Sequence, residues 1–96
     1  MKEAFLASLV REGAQGGGLY AYDEGLVFKA QKLTMPEHLK HIKIPYDDIR
    51  TARCVRSFVF PAIELTMKGG AEYKIIVFER RRLLQILDVK NVLTIR

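Results

Sequence analysis

The sequence has a single cysteine and no long hydrophobic run, and each absence excludes a class of protein. Cys54 stands alone, so an internal disulfide and a multi-cysteine metal site are excluded, and we expect a small buried hydrophobe. The longest apolar run, residues 58–63, has six residues, whereas a membrane-spanning helix needs roughly 20. The N-terminal residues show no signal-peptide cleavage pattern. We therefore expect a soluble, cytoplasmic protein.

The side chains that could act in catalysis or bind a metal do not form a recognisable catalytic or metal-binding set. Glu37, His38 and His41 cluster, and His-x-x-His can place two imidazoles on one helical face, but no further ligand has suitable spacing. The other candidate carboxylates and nucleophiles have no facing partner or activating base in the sequence: Asp47, Asp48, Ser8, Ser57 and Cys54. We expect a protein that is not an enzyme and needs no metal or cofactor.

Length and composition predict one globular domain. The chain has 96 residues, of which 49% are hydrophobic and 28% charged, ordinary proportions for a chain with a single core. No repeat, linker or low-complexity segment divides it. We assign residues 1–96 to one domain, with a core over about 5–88 and a tail over 89–96.

The positive charge is concentrated in the middle of the chain. Residues 29–56 hold seven basic and three acidic residues, which is +4 of the net +5. Such a window could attract phosphates, anionic lipid or an acidic protein, or it could be an ordinary solvated surface. The basic residues that we single out as an anion- or lipid-binding site are Lys29, Lys32, Lys40, Lys43, Arg53 and Arg56.

Period-two alternation predicts a β-rich fold organised around a hairpin over residues 16–30. Leu19 and Ala21 alternate with tyrosines before the turn, and Leu26 and Phe28 alternate with Val27 and Lys29 after it. We expect a three-residue loop, 23–25, with its glycine in the left-handed conformation. Similar patterns predict further strands over residues 41–45, 51–57 (with a bulge or at an edge), 62–68 and 71–78. Residues 4–10 are ambiguous, since their apolar side chains also share one helical face, but the run is short and soon followed by Gly13, so we favour a first strand there.

Turn and helix signals complete the pattern. Gly69-Gly70 is a hairpin signal, and residues 46–49 predict a tight turn capped by an aspartate. Thr34 and Glu37 have capping-box spacing, so residues 32–40 are a short helix or an ordered loop. From residue 79 the period becomes helical, with leucines at 83, 84 and 87. The tail either extends this helix or forms a last extended segment or a frayed end.

The order of these motifs resembles the GRAM and bacterial pleckstrin-homology-like domains. The resemblance rests on Gly18-Leu19-Tyr20 with residues 25–28, on the segment 44–49 (Ile-Pro-Tyr-Asp-Asp-Ile), and on the last hairpin. It implies a partly open barrel of two near-orthogonal antiparallel sheets, with about seven strands, capped by one C-terminal helix. The loop 11–17, where phosphoinositide-binding members carry basic residues, holds only Arg11 beside Glu12.

The function expected from this resemblance is a non-catalytic interaction module. Protein binding or self-association comes first, and the last strand-like residues of the tail could pair with a second copy. The alternative is peripheral binding to anionic lipid through the basic loop. Nucleic-acid binding is weaker and rests on Tyr20 and Tyr22 as stacking platforms.

The segment Phe58-Val59-Phe60 is the candidate contact site for a protein partner or a membrane. We expect both rings to pack inside the barrel or against the helix. The alternative is a hairpin tip that exposes them beside Arg56, as membrane insertion or a partner groove would need.

Overall fold

The computed structural model describes residues 3–10, 14–30 and 41–95. The short helix or ordered loop expected over residues 32–40, with Thr34, Glu37 and His38, lies outside the described residues. In the described part of the chain, eight strands and one α-helix follow in the order β1 (Glu3–Val10), β2 (Ala14–Ala21), β3 (Gly25–Ala30), β4 (His41–Pro45), a 3-10 turn (Tyr46–Asp48), β5 (Ile49–Ser57), β6 (Phe60–Met67), β7 (Glu72–Val77), α1 (Arg80–Val89) and β8 (Leu93–Ile95).

The strands form one mixed sheet in the order β4-β3-β2-β1-β7-β6-β5-β8. All neighbours pair antiparallel except β5 and β8, which are parallel. The prediction of a mainly β fold with a C-terminal helix is confirmed. The sheet is continuous from β4 to β8, and it gains an eighth strand from the tail. No helix in the described ranges is long and apolar enough to cross a membrane.

The apolar residues that alternate along the strands pack into a single core. Ile44 of β4 and Ile49 of β5 belong to the same buried cluster, although their strands stand far apart in the sheet order. The sheet therefore curves around its apolar face. Leu83, Leu84 and Leu87 of α1 complete that cluster, as their helical spacing predicted.

The β2–β3 hairpin has the predicted position but a different use of its glycine. The Tyr22 N–H donates to the Gly25 carbonyl at 2.9 Å, so Asp23 and Glu24 alone lie inside this closing bond, in place of the predicted three-residue loop over residues 23–25. Gly25 opens β3 with no positive φ, so the predicted left-handed conformation is wrong. A Cβ at this position would stand 2.6 Å from the Ile44 carbonyl oxygen. Gly25 is needed because β4 approaches the backbone closely.

The β6–β7 hairpin is the place where a glycine takes a positive φ. The Gly70 N–H donates to the Met67 carbonyl at 3.0 Å, and the Met67 N–H donates to the Ala71 carbonyl at 2.8 Å. The loop therefore has three residues, Lys68 to Gly70, and not the two that the Gly69-Gly70 signal predicted, and Gly70 has φ +97°. A three-residue hairpin loop ends on such a left-handed residue.

The turn over Tyr46–Asp48 is confirmed, without the predicted aspartate cap: neither Asp47 nor Asp48 makes a side-chain cap hydrogen bond. The Tyr46 hydroxyl instead donates to the Tyr22 carbonyl at 2.7 Å and ties the turn to the β2–β3 loop. The expected irregularity in the following strand is present as a register shift between Ile49 and Thr51.

Beyond Val89, which ends α1, the described tail is neither helix nor frayed end. At the end of α1, the Asn91 N–H donates to the Asp88 carbonyl at 3.1 Å and the Val92 N–H to the Leu87 carbonyl at 2.9 Å. With Asn91 at φ 64°, this is a Schellman motif, and the buried Val92 supplies its apolar contact. The chain then turns so that β8 pairs with β5 of the same molecule.

Candidate functional site

The tip of the β5–β6 hairpin carries two large apolar side chains into solvent. Ser57 pairs with Phe60, so Phe58 and Val59 alone make the connection. Phe58 is 92% exposed and Val59 is 82% exposed. The expectation that both rings pack inside the barrel is therefore wrong for Phe58, because a two-residue connection projects beyond the end of the sheet and has no core to enter.

The backbone at this tip is strained as well as exposed. Phe58 has φ 55°, in the left-handed region that costs an L-residue roughly 1–2 kcal/mol. Glycine or asparagine is the ordinary choice there. The ring gains almost no burial in return.

A second apolar pair stands behind the tip. The rings of Phe60 and Phe78 meet edge to face, with centroids 5.9 Å apart and planes at 87°. They remain 41% and 53% exposed. Phe78 was not identified as a site residue in the sequence analysis. The alternation along β7 was a signal for it, because a residue next to the inward-facing Val77 faces away from the core. We call Phe58, Val59, Phe60 and Phe78 the hydrophobic patch.

Arginines border the hydrophobic patch. The Arg80 guanidinium donates to the carbonyl oxygens of Val55 at 2.8 Å and Ala62 at 3.3 Å, which fixes the start of α1 to the hairpin. Arg56 and Arg81 are exposed. Neither forms an ion pair with another residue in the described ranges. Glu79, the carboxylate next to Phe78 in the chain, is paired with Arg82, so the unpaired charge of the rim is positive.

Of the predicted basic site, Lys29 and Lys43 are placed near each other. Lys29 pairs with His41, and Lys43 follows two residues along β4 on the same outward face. The Lys29 Nζ lies 5.1 Å from the centre of the Tyr20 ring, one of the two tyrosines considered for base stacking. Lys32 and Lys40 lie outside the described residues.

The structure separates the two predicted arginines from those lysines. Arg53 pairs with Glu64 through a 2.7 Å contact on neighbouring strands, so its charge is matched locally. Arg56 belongs to the rim of the hydrophobic patch. Four strands separate β3 from β5 in the sheet order. In the sheet order, the described members of the predicted basic set therefore lie on two stretches that are not neighbours, β3–β4 and β5.

The remaining candidates for chemistry are dispersed. In residues 3–10, 14–30 and 41–95, no group of three or more His, Cys, Asp or Glu side chains could hold a metal ion. His41 is exposed on β4, and Glu37 and His38 lie outside the described residues. Cys54 is half-buried and packs against the core.

Burial raises the pKa of the Tyr46 hydroxyl, with smaller contributions from the carboxylates of Asp23 and Glu3.

Comparisons with known proteins find a similar fold but identify no function. No family model matches the chain, and no curated protein matches it. A solved structure is similar: the C-terminal domain of an unknown protein from Leishmania infantum, with a TM-score of 0.73 and 20% identity over 88% of this chain and 77% of that chain. At that identity, the similarity shows that the two domains share a fold.

Proposed function

We propose that this chain is a non-catalytic, pleckstrin-homology-like interaction module that docks onto a protein partner through the hydrophobic patch. Seven antiparallel strands followed by an amphipathic helix, all around one core, are what the GRAM-like resemblance implies. In this proposal the halves β1–β4 and β5–β7 of the curved sheet are the two near-orthogonal layers. The single free thiol of Cys54 fits a reducing, cytoplasmic setting.

The observation that carries the proposal is Phe58 itself. A phenylalanine that is 92% exposed and has φ 55° stabilises the fold neither by burial nor by backbone preference. Strain of this kind is characteristic of functional sites. Large apolar side chains clustered on a surface and bordered by charge are typical of a contact with another molecule.

The charge of the rim indicates the chemistry of the partner. Arg56 and Arg81 would face acidic groups at the edge of an apolar groove, in which Phe58 and Val59 are the anchors. A second copy docked through the same patch would place the same arginines close to one another. Like charges would oppose that pairing, so we favour a different protein over self-association.

The test uses a photo-reactive benzophenone side chain at position 59, with position 89 as the control. Val59 and Val89 are both highly exposed valines, but Val89 ends α1, away from the patch. We expect irradiation in a native lysate to join residue 59, and not residue 89, to one defined protein, and the purified protein to reproduce that cross-link. Equal labelling at both positions, or no cross-link, would overturn the proposal.

A peripheral membrane contact is the second candidate, favoured by the same arginines. Aromatic residues on a projecting tip can enter the acyl boundary while flanking cations bind anionic headgroups. Flotation with vesicles of phosphatidylcholine alone, and of phosphatidylcholine with phosphatidylserine, separates the two. Binding only to the anionic vesicles, reduced by salt and by Arg56→Glu, would favour the membrane; no flotation favours the protein partner.

A further inference from the structure

Three cations from three different elements surround one hollow at the end of the molecule opposite the hydrophobic patch. Arg50 comes from the start of β5, Lys68 from the β6–β7 loop, and Lys90 from the end of α1. The hollow has a volume of about 530 Å³, which is within the range of small-molecule sites. We call it the basic hollow.

Backbone and ring contacts hold these cations in place. The Lys68 N–H donates to the Asp48 carbonyl at 2.8 Å, which fixes the β6–β7 loop against the 3-10 turn. The Lys90 Nζ lies 5.6 Å from the centre of the Tyr46 ring, and Tyr46 is buried. The backbone of Lys68 and the side chain of Lys90 are therefore each anchored by a contact beside the hollow.

The positive charge of the basic hollow is not matched by the protein. Asp47 is the one carboxylate in its described lining, so the formal charge is three minus one, or +2. Arg50, Lys68 and Lys90 make no ion pair with another residue in the described part of the chain. The carbonyls of Ile86, Leu87 and Asp88 at the adjacent helix end accept hydrogen bonds from Lys90, Asn91 and Val92, so they are already engaged.

We propose that the basic hollow binds a compact, multiply charged oxyanion: phosphate or the phosphate monoester of a small molecule. Lysine and arginine donors supply the charge-assisted hydrogen bonds that such oxygens accept. Asp47 opposes any anion at the same wall, and the three cations of the lining outweigh its charge. The site is distinct from the proposed docking surface, because Arg50 lies at the start of β5 and Phe58 directly follows its end, a separation of eight residues or roughly 26 Å.

The phosphate could be free or could belong to a lipid headgroup, so the experiment has two arms. The first titrates inorganic phosphate and follows the backbone amide signals of the whole chain by NMR at low salt. The second measures flotation with vesicles of phosphatidylcholine with and without phosphatidic acid. In the first arm we expect saturable shifts at residues 47–50, 68 and 90–91, and in the second we expect flotation only if the headgroup is the source.

Charge-neutralising variants give the matched control. Lys68→Gln and Lys90→Gln should each raise the dissociation constant for phosphate about tenfold, the change that loss of one charge-assisted hydrogen bond produces. Lys74→Gln removes the same charge from β7, outside the lining of the basic hollow, and should leave it unchanged. Absence of saturable shifts, shifts spread over all basic residues, or equal weakening by Lys74→Gln would each overturn the proposal.

Discussion

The ring of Phe60 meets the ring of Phe78 edge to face, at 5.9 Å and 87°, across the ends of β6 and β7. Both rings are about half exposed, so the pair organises a surface rather than a core. Together with Phe58 and Val59 it makes a hydrophobic patch whose shape exists before anything binds. A preformed surface loses less conformational entropy on binding.

This aromatic contact should be measurable as a coupling energy. Edge-to-face pairs contribute about 0.5–1.5 kcal/mol beyond area burial. We expect a double-mutant cycle with Phe60→Leu and Phe78→Leu to give a coupling in that range, from urea unfolding of the two single variants and the double variant. A coupling near zero would mean that the two rings act independently.

Alanine substitutions at Gly25 and Gly69 form a matched pair that tests where the close approach of another strand requires a glycine. At Gly25 a Cβ would lie 2.6 Å from the Ile44 carbonyl oxygen and 2.7 Å from the Pro45 Cα, whereas at Gly69 nothing lies within 4 Å. Gly25→Ala should therefore destabilise the protein by about 1–3 kcal/mol. Gly69→Ala should be neutral or stabilising by up to about 1 kcal/mol.

Chemical denaturation of the two glycine variants checks this. Equal unfolding free energies would contradict the close approach of β4 to the start of β3.

Ionisation of the Tyr46 hydroxyl should make the free energy of unfolding depend on pH in the alkaline range. Burial raises its pKa above the ordinary 10.0, so the unfolded state ionises first. The stabilisation due to the neutral hydroxyl is complete below about pH 10 and is lost as pH rises through the folded pKa. Because the hydroxyl donates to the Tyr22 carbonyl at 2.7 Å, Tyr46→Phe should lose about 0.5–1.5 kcal/mol at neutral pH.

The difference in unfolding free energy between the wild type and Tyr46→Phe should then shrink above about pH 10. Urea unfolding of both proteins at neutral and alkaline pH measures it, and lysine titration is common to both. A difference that is constant or grows with pH would show that the hydroxyl is not the group responsible.

Local patterns were enough to predict most of the strands and the helix. Alternation in β4 and β6 and the leucine spacing in α1 place their side chains as observed, because each element follows the period of its own backbone. A last extended segment was one of the alternatives for the tail, but its pairing with β5 of the same molecule was not predicted. Leu93 and Ile95 form it only because the Schellman turn at Asn91 directs them along β5, a tertiary pairing that a three-residue strand cannot signal.

The site was harder to predict than the fold. Apolar composition alone favoured burial of Phe58, whereas its exposure depends on the tightness of the β5–β6 connection. Phe78 and Arg80 join this surface through strand register and helix placement, not through sequence proximity to Phe58. The basic hollow is a stronger example, since Arg50, Lys68 and Lys90 are brought together by three separate elements.

The most direct test of the central claim measures folding and contact in one variant, Phe58→Ser, carrying the benzophenone at position 59. We expect the unfolding free energy to stay within about 0.5 kcal/mol of the parent, as for other surface changes, while cross-linking from position 59 to the partner falls at least severalfold. Phe28→Ala, a fully buried ring, should in contrast lose about 3–5 kcal/mol. A comparable loss of stability for Phe58→Ser, or undiminished cross-linking, would contradict a docking role for the hydrophobic patch.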